Sequence, residues 1–173
     1  VLGLTNVCQF VLELDSSKIN RFDSNGASPL YLACLFGHLE TVQFLTRCHG
    51  INLDAVSGDQ FYCSPLNVAT GSRYGSYENH CAIVDHLVRL GADPDLMDSE
   101  GYNPLLQACR YGLVEMVKIL LTSRFIDVNV RVGRTGVTPL YLAVKNQNLE
   151  IVELLLAANG IDVDKASQMH PEQ

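Results

Sequence analysis

The chain has 173 residues, 47% of apolar type and 18% charged, with a formal net charge of −7. Such apolar content supports a packed core and excludes a disordered chain, and the acidic balance repels a nucleic-acid backbone, so neither DNA nor RNA is an expected partner. No apolar run approaches the roughly 20 residues of a membrane helix, and Val1-Leu2-Gly3-Leu4 carries no basic flank, so neither membrane insertion nor secretion is expected.

In chain order, residues 1–22 read as the second helix and exit loop of a partial unit, with Val7, Phe10, Val11 and Leu14 on one stripe. A phrase then returns four times: Ser28-Pro29-Leu30-Tyr31-Leu32-Ala33, Ser64-Pro65-Leu66-Asn67-Val68-Ala69, Asn103-Pro104-Leu105-Leu106-Gln107-Ala108 and Thr138-Pro139-Leu140-Tyr141-Leu142-Ala143. The prolines stand 36, 39 and 35 residues apart. A period between roughly 20 and 50 residues marks stacked small units. The implied units are 23–54, 55–95, 96–129 and 130–164, with 165–173 opening a further unit or tail.

The unit 23–54 shows the plan. Asp23-Ser24-Asn25-Gly26 is a turn, Ser28 caps a helix with Pro29 at its first position, and Gly37 ends it. Leu39 to Leu45 form a second helix. In the last unit Gln147 stands where Gly37 and Gly112 stand, which predicts an altered turn after Asn146. In the second unit Val84 lies 19 residues beyond Pro65, whereas the matching Val42, Val117 and Val152 each lie 13 beyond their prolines. Six extra residues therefore fall within Gly71 to His80, whose Gly, Ser and Asn content predicts a loop.

Phrase, glycine and Asp-Val-Asn-like exits recur together, and in this the chain resembles ankyrin repeats, each a β-turn plus two antiparallel helices. The resemblance covers essentially all of the chain. It implies an all-α solenoid of helix–turn–helix units with β-turn or hairpin connections. The family's signature His is replaced by Tyr31, Asn67, Leu106 and Tyr141, so the turns it braces must be satisfied otherwise. Asp127-Val128-Asn129 resembles ankyrin asparagines that a dioxygenase hydroxylates; as a plain turn residue, Asn129 braces the hairpin.

The resemblance further implies recognition of a protein or peptide on the concave face, made of turn tips and the exposed side of each first helix. By position this selects Phe22, Ser24, Asn25, Leu35 and Phe36; then Gln60, Phe61 and Tyr62; then Met97, Ser99, Glu100, Tyr102, Arg110 and Tyr111; then Val132, Arg134, Thr135, Lys145 and Asn146. Aromatics and arginine are enriched in binding hot spots, and Phe36, Arg110 and Tyr111 are the expected centre. The extra segment, with Tyr74 and Tyr77, is the competing site, expected on the rim far from the turn tips. Arg131, Arg134 and Lys145 against Asp93, Asp95, Asp98 and Glu100 predict a graded field along the groove.

Chemistry is weakly signalled. Cys48-His49, Cys63 and His80-Cys81 lack the paired spacing of zinc ligands. No frame supplies an oxyanion loop or orienting carboxylate for a cysteine nucleophile, and Gly133-Arg134-Thr135-Gly136 lacks the phosphate-loop pattern. The six cysteines form no CxxC pair, and Cys34 and Cys109 fall on inward helical faces. They read as small buried hydrophobes of a reducing, cytoplasmic compartment. No metal, cofactor or catalytic residue is expected. With no initiator Met and interior-type helices at both ends, the chain is expected to be part of a longer protein, with end surfaces covered by further repeats.

Overall fold

The computed structural model describes residues 18–133 and 136–167. Residues 1–17, with the partial unit's apolar stripe, lie outside the described residues, as do Arg134, Thr135 and residues 168–173. Four helix pairs follow one another: α1 (Pro29–Leu35) with α2 (Leu39–Arg47), α3 (Pro65–Gly71) with α4 (Tyr77–Leu90), α5 (Pro104–Tyr111) with α6 (Val114–Leu120), and α7 (Pro139–Lys145) with α8 (Leu149–Leu156). A short α9 (Val163–Ser167) comes last. The antiparallel bridge between Val132 and Val137 is the sole isolated sheet pairing among the described residues. The molecule is an all-α solenoid.

Each first helix starts by the same chemistry. Ser28, Ser64, Asn103 and Thr138 hold extended backbone and accept the N–H of Tyr31, Asn67, Leu106 and Tyr141 at 3.1, 3.1, 2.9 and 3.1 Å. The proline after each cap fills a position whose N–H would have no helical partner. First helices stack on first helices, α1 on α3 on α5 on α7, and second on second, α2 on α4 on α6 on α8. Leu30, Leu66, Leu105 and Leu140, with the small Ala33, Ala69, Ala108 and Ala143, interleave in one core. No single pair can bury this face alone; neighbours must supply the other side. At the last pair Val144 and Leu149 are exposed, Leu149 by 68%.

A hydrogen-bond ladder runs along the stack. Asn20 Oδ1 accepts the Asn52 N–H at 2.8 Å, and Asn52 Oδ1 accepts the Asp54 N–H at 3.0 Å. The zigzag continues through Asp93, Asp95, Asp127, Asn129 and Asp162 to the Asp164 N–H. Asx side chains satisfy backbone two residues on and one unit on, which is why Asp and Asn recur at these positions.

Two sequence expectations need correction. The extra residues are only partly loop. Helix α4 begins at Tyr77, seven residues before Val84, where α2, α6 and α8 begin three before their valines. Four of the six extra residues thus add a helical turn, capped by Ser76, whose side chain accepts the Asn79 N–H at 3.1 Å. The other two lengthen the connection to residues 72–76. Second, the turn after Asn146 is unaltered. Gln147 takes the left-handed conformation (φ 56°) that Gly37 and Gly112 take, and the Asn148 N–H still reaches the Ala143 carbonyl at 3.0 Å, as His38 reaches Ala33 at 2.9 Å. Stacking determines the turn, and Gln147 bears the strain.

Candidate functional site

The turn tips stand on Asx turns. Asp23 Oδ1 accepts the Asn25 and Ala27 N–H groups, each at 2.8 Å; Asp98 Oδ1 accepts those of Glu100 and Tyr102, each at 2.9 Å. Asp59 does the same for Phe61 and Tyr62 at 2.9 and 3.2 Å. Gly26 and Gly101 supply positive φ in the outer turns; in the middle one Tyr62 holds it, at φ 49°, with its side chain 57% exposed. A bulky residue there is strained.

Where the signature His is absent, its neighbours are still reached. The Tyr31 hydroxyl donates to Asp59 Oδ2 at 3.1 Å, and Asn67 Nδ2 donates to the carbonyls of Tyr102 (2.9 Å) and Leu96 (3.4 Å). Leu106 makes no such bond and is buried in the core that Val130 and Val132 share.

Between turn tips and first helices the first three units enclose a groove of about 570 Å³, within the usual range for ligand sites. Its floor is Leu32, Leu35, Cys63 and Val68. One wall carries Asp23, Asp59, Phe61, Asp98, Glu100 and Tyr102; the other carries Gly71 to Tyr74, Arg110 and Tyr111. Of the residues expected at the concave face, the groove gathers Asn25, Leu35, Phe61, Glu100, Tyr102, Arg110 and Tyr111. Phe36 borders it, 43% exposed, its ring stacked on His38 at 6.1 Å and against Tyr74 at 5.4 Å. Gln60, Tyr62, Met97, Ser99 and Lys145 are exposed but outside it. Phe22 and Ser24 line a separate shallow depression with Lys18 and Arg21. Val132 is buried. Asn146 is spent on structure: its Nδ2 caps the end of α5, donating to the carbonyls of Cys109 at 3.3 Å and Arg110 at 2.9 Å.

The extra segment does not stand at a far rim. Ser72 Oγ donates to the Leu35 carbonyl at 2.6 Å and Asn79 Nδ2 to the Gly37 carbonyl at 3.1 Å, so the segment satisfies carbonyls at the end of α1. That anchoring carries Arg73 and Tyr74 into the groove wall. Arg73 lies over the Tyr111 ring at 5.8 Å. Sequence reasoning missed Asp59 and Gln107 as lining, named Asp98 only for its charge along the groove and set Arg73's segment apart as a rival site; the alignment of Asp59 with Asp23 and Asp98 was the available signal.

Electrostatically the walls differ. Burial alone would raise the Asp59 pKa, but hydrogen bonds from Ser57 Oγ, the Phe61 N–H, the Tyr31 hydroxyl and the Tyr62 N–H outweigh it and hold Asp59 below the usual carboxylate range. Burial, then the fields of Asp98, Asp59 and Glu100, pushes the Cys63 thiol up to about 12. Cys34 and Cys109 are raised by burial alone. These thiols are held neutral, the reverse of a nucleophile's requirement. Arg110 bonds Glu100 at 3.2 Å and lies 4.7 Å from the Tyr102 ring centroid and 5.7 Å from that of Tyr111. The groove thus sets an apolar floor between a carboxylate wall and an arginine–aromatic wall.

Comparison with known proteins bears on the whole architecture. Residues 66–167 match the family of ankyrin repeats in three copies, and residues 5–46 match ankyrin repeats in many copies. The chain is 30% identical over 159 residues to human B-cell lymphoma 3 protein, covering 88% of this chain and 33% of that one. It is 27% identical over 135 residues to the NF-kappa-B inhibitor cactus of Drosophila yakuba (78% and 25% covered). It is 27% identical over 186 residues to alpha-latrocrustotoxin-Lt1a of Latrodectus tredecimguttatus (84% and 13%). The chain thus spans at most a third of the length of these relatives. Repeats of this kind generally serve as protein–protein interaction modules. Among the described residues no helix is long and apolar enough to cross a membrane. With the family match extending over more than half of its length, the chain belongs to the ankyrin-repeat family.

Proposed function

We propose that this chain is a non-catalytic interaction module that takes a partner protein or peptide in the groove of its first three described repeats. The observation that carries the reading is the clustering of Phe36, Tyr74, Arg73, Arg110 and Tyr111 on one wall, all exposed side chains of hot-spot type beside an apolar floor. Buried free thiols at Cys34, Cys63 and Cys109 fit a reducing compartment such as the cytoplasm. A second reading is favoured by the short span of the relatives that this chain covers: the module targets or regulates a larger enzyme, effector or channel. The two readings are compatible, since regulation too would act through the groove. The experiment is a parallel capture by the unaltered chain, Tyr111→Ala, Phe36→Ala and the outer-face variant Lys118→Ala, read by mass spectrometry. A partner lost with the first two variants and kept by the third supports the groove; a partner indifferent to both groove variants contradicts it.

A further inference from the structure

Resting on the groove as the binding surface, we infer that the partner presents a lysine or arginine side chain, flanked by apolar residues, to the carboxylate wall between Asp59 and Asp98. Four carboxylates line the groove (Asp23, Asp59, Asp98 and Glu100) against two guanidiniums, Arg73 and Arg110, a balance of −2. Both guanidiniums are already engaged, Arg110 by Glu100 and two tyrosine rings, Arg73 by Tyr111. Arg110 offsets Glu100 on the carboxylate wall itself, so the unmatched negative charge there is carried by Asp23, Asp59 and Asp98. The negative field reaches the floor, since Asp98, Asp59 and Glu100 all act on the Cys63 thiol there.

A second observation is independent of the acids. Asn67 lines the same groove, is wholly buried, and donates through Nδ2 to Leu96 and Tyr102, while its Oδ1 accepts nothing. An unpaired carbonyl oxygen on a groove-lining side chain adds to the groove's acceptors and not to its donors. Phe61, an exposed aromatic in the same lining, offers its ring to a cationic head and apolar stem, whereas the Tyr102 ring already carries Arg110. An acidic or purely apolar occupant would leave this wall unmatched.

The probe is a displayed library of random 12-residue peptides selected against the immobilised full chain. Recovered peptides are measured on the unaltered chain, on Tyr111→Ala, and on Asp98→Asn and Glu100→Gln, each first checked for an unchanged melting temperature. Asp98→Asn keeps the turn's Oδ1 acceptor and gives up the Oδ2 that accepts from Gln107 Nε2, and Glu100→Gln alters an exposed side chain and its ion pair with Arg110, so a folding failure in one leaves the other readable. The expected result is peptides sharing a Lys or Arg, with affinity lost in Tyr111→Ala, lowered about tenfold in the charge variants, and falling as salt rises. Peptides that need Tyr111 but carry no basic residue, or ignore the charge variants, overturn this inference and leave the groove reading standing. A library that returns only binders indifferent to Tyr111, or none, overturns both.

Discussion

The Phe36 ring lies 5.4 Å, centroid to centroid, from the ring of Tyr74, one at the end of α1 and the other in the segment added to the next repeat. The two loci that the sequence sets against each other as rival binding sites therefore form one surface. The coupling should be measurable without any partner. A double-mutant cycle of Phe36→Ala and Tyr74→Ala, followed by urea unfolding, should give an interaction of about 0.5–1.5 kcal/mol. Strict additivity would mean that the two rings do not support each other.

Two side chains occupy left-handed positions that belong to glycine in the sister repeats. Tyr62 stands where Gly26 and Gly101 stand, Gln147 where Gly37 and Gly112 stand. Relieving either should stabilise the fold by roughly 0.5–1 kcal/mol, the strain removed less the added freedom of the unfolded chain. The functional consequences should differ. Tyr62→Gly removes an exposed aromatic from a turn tip beside the groove and should weaken binding; Gln147→Gly should leave affinity unchanged. Unfolding midpoints and peptide titrations of the two variants test both halves, and equal effects on binding would contradict the distinction.

Much of this was legible in the sequence, because each repeat must satisfy the same caps and apolar stripe. Ser28, Ser64, Asn103 and Thr138, each followed by proline, announce their helices, and Leu35, Arg110 and Tyr111 reach the groove as their register implies. What was illegible depends on neighbours. Nothing local says that Gln147 keeps a glycine's backbone; the stacked helices on either side impose it. Nothing local says that Tyr77 to His80 are helical, because Gly75 and Ser76 read as loop until the cap on Asn79 is seen. The path of Arg73 and Tyr74 is set by Ser72 and Asn79 finding carbonyls on another repeat, a contact without a sequence signature.

The two perturbed aspartates give opposite pH signatures. Asp59 is held below its unfolded value, so its stabilisation is present above about pH 3.9 and is lost as pH falls through the lower folded value. Asp95 is raised, chiefly by burial and further by Asp127 and Asp93. Its contribution is present below the unfolded value and is lost as pH rises through the folded one. Asp95→Asn should therefore leave stability at pH 7 unchanged or increased, and Asp59→Asn should lower it. Melting temperatures from pH 3 to 8 check the pair; a loss of stability at neutral pH in Asp95→Asn would show that its charge is needed by the ladder.

Asn129 makes two ladder bonds, Nδ2 to the Gly160 carbonyl at 2.7 Å and Oδ1 from the Asp162 N–H at 2.8 Å. Asn129→Ala should cost about 1–2 kcal/mol and speed hydrogen exchange at the Asp162 amide. Asn129→Asp keeps the acceptor and should protect that amide more than alanine does. Equal exchange in the two variants would remove the ladder from the account of how the last repeat is held.

The most direct test of the groove is amide chemical-shift mapping of the labelled chain with the tightest peptide from the unbiased library. The account predicts shifts concentrated at Tyr31, Leu35, Phe61, Arg73, Tyr102 and Tyr111, with the outer residues Glu115, Lys118 and Glu150 unmoved. Shifts gathered on those outer residues, or at the exposed end around Leu149, with the groove amides silent, would contradict it.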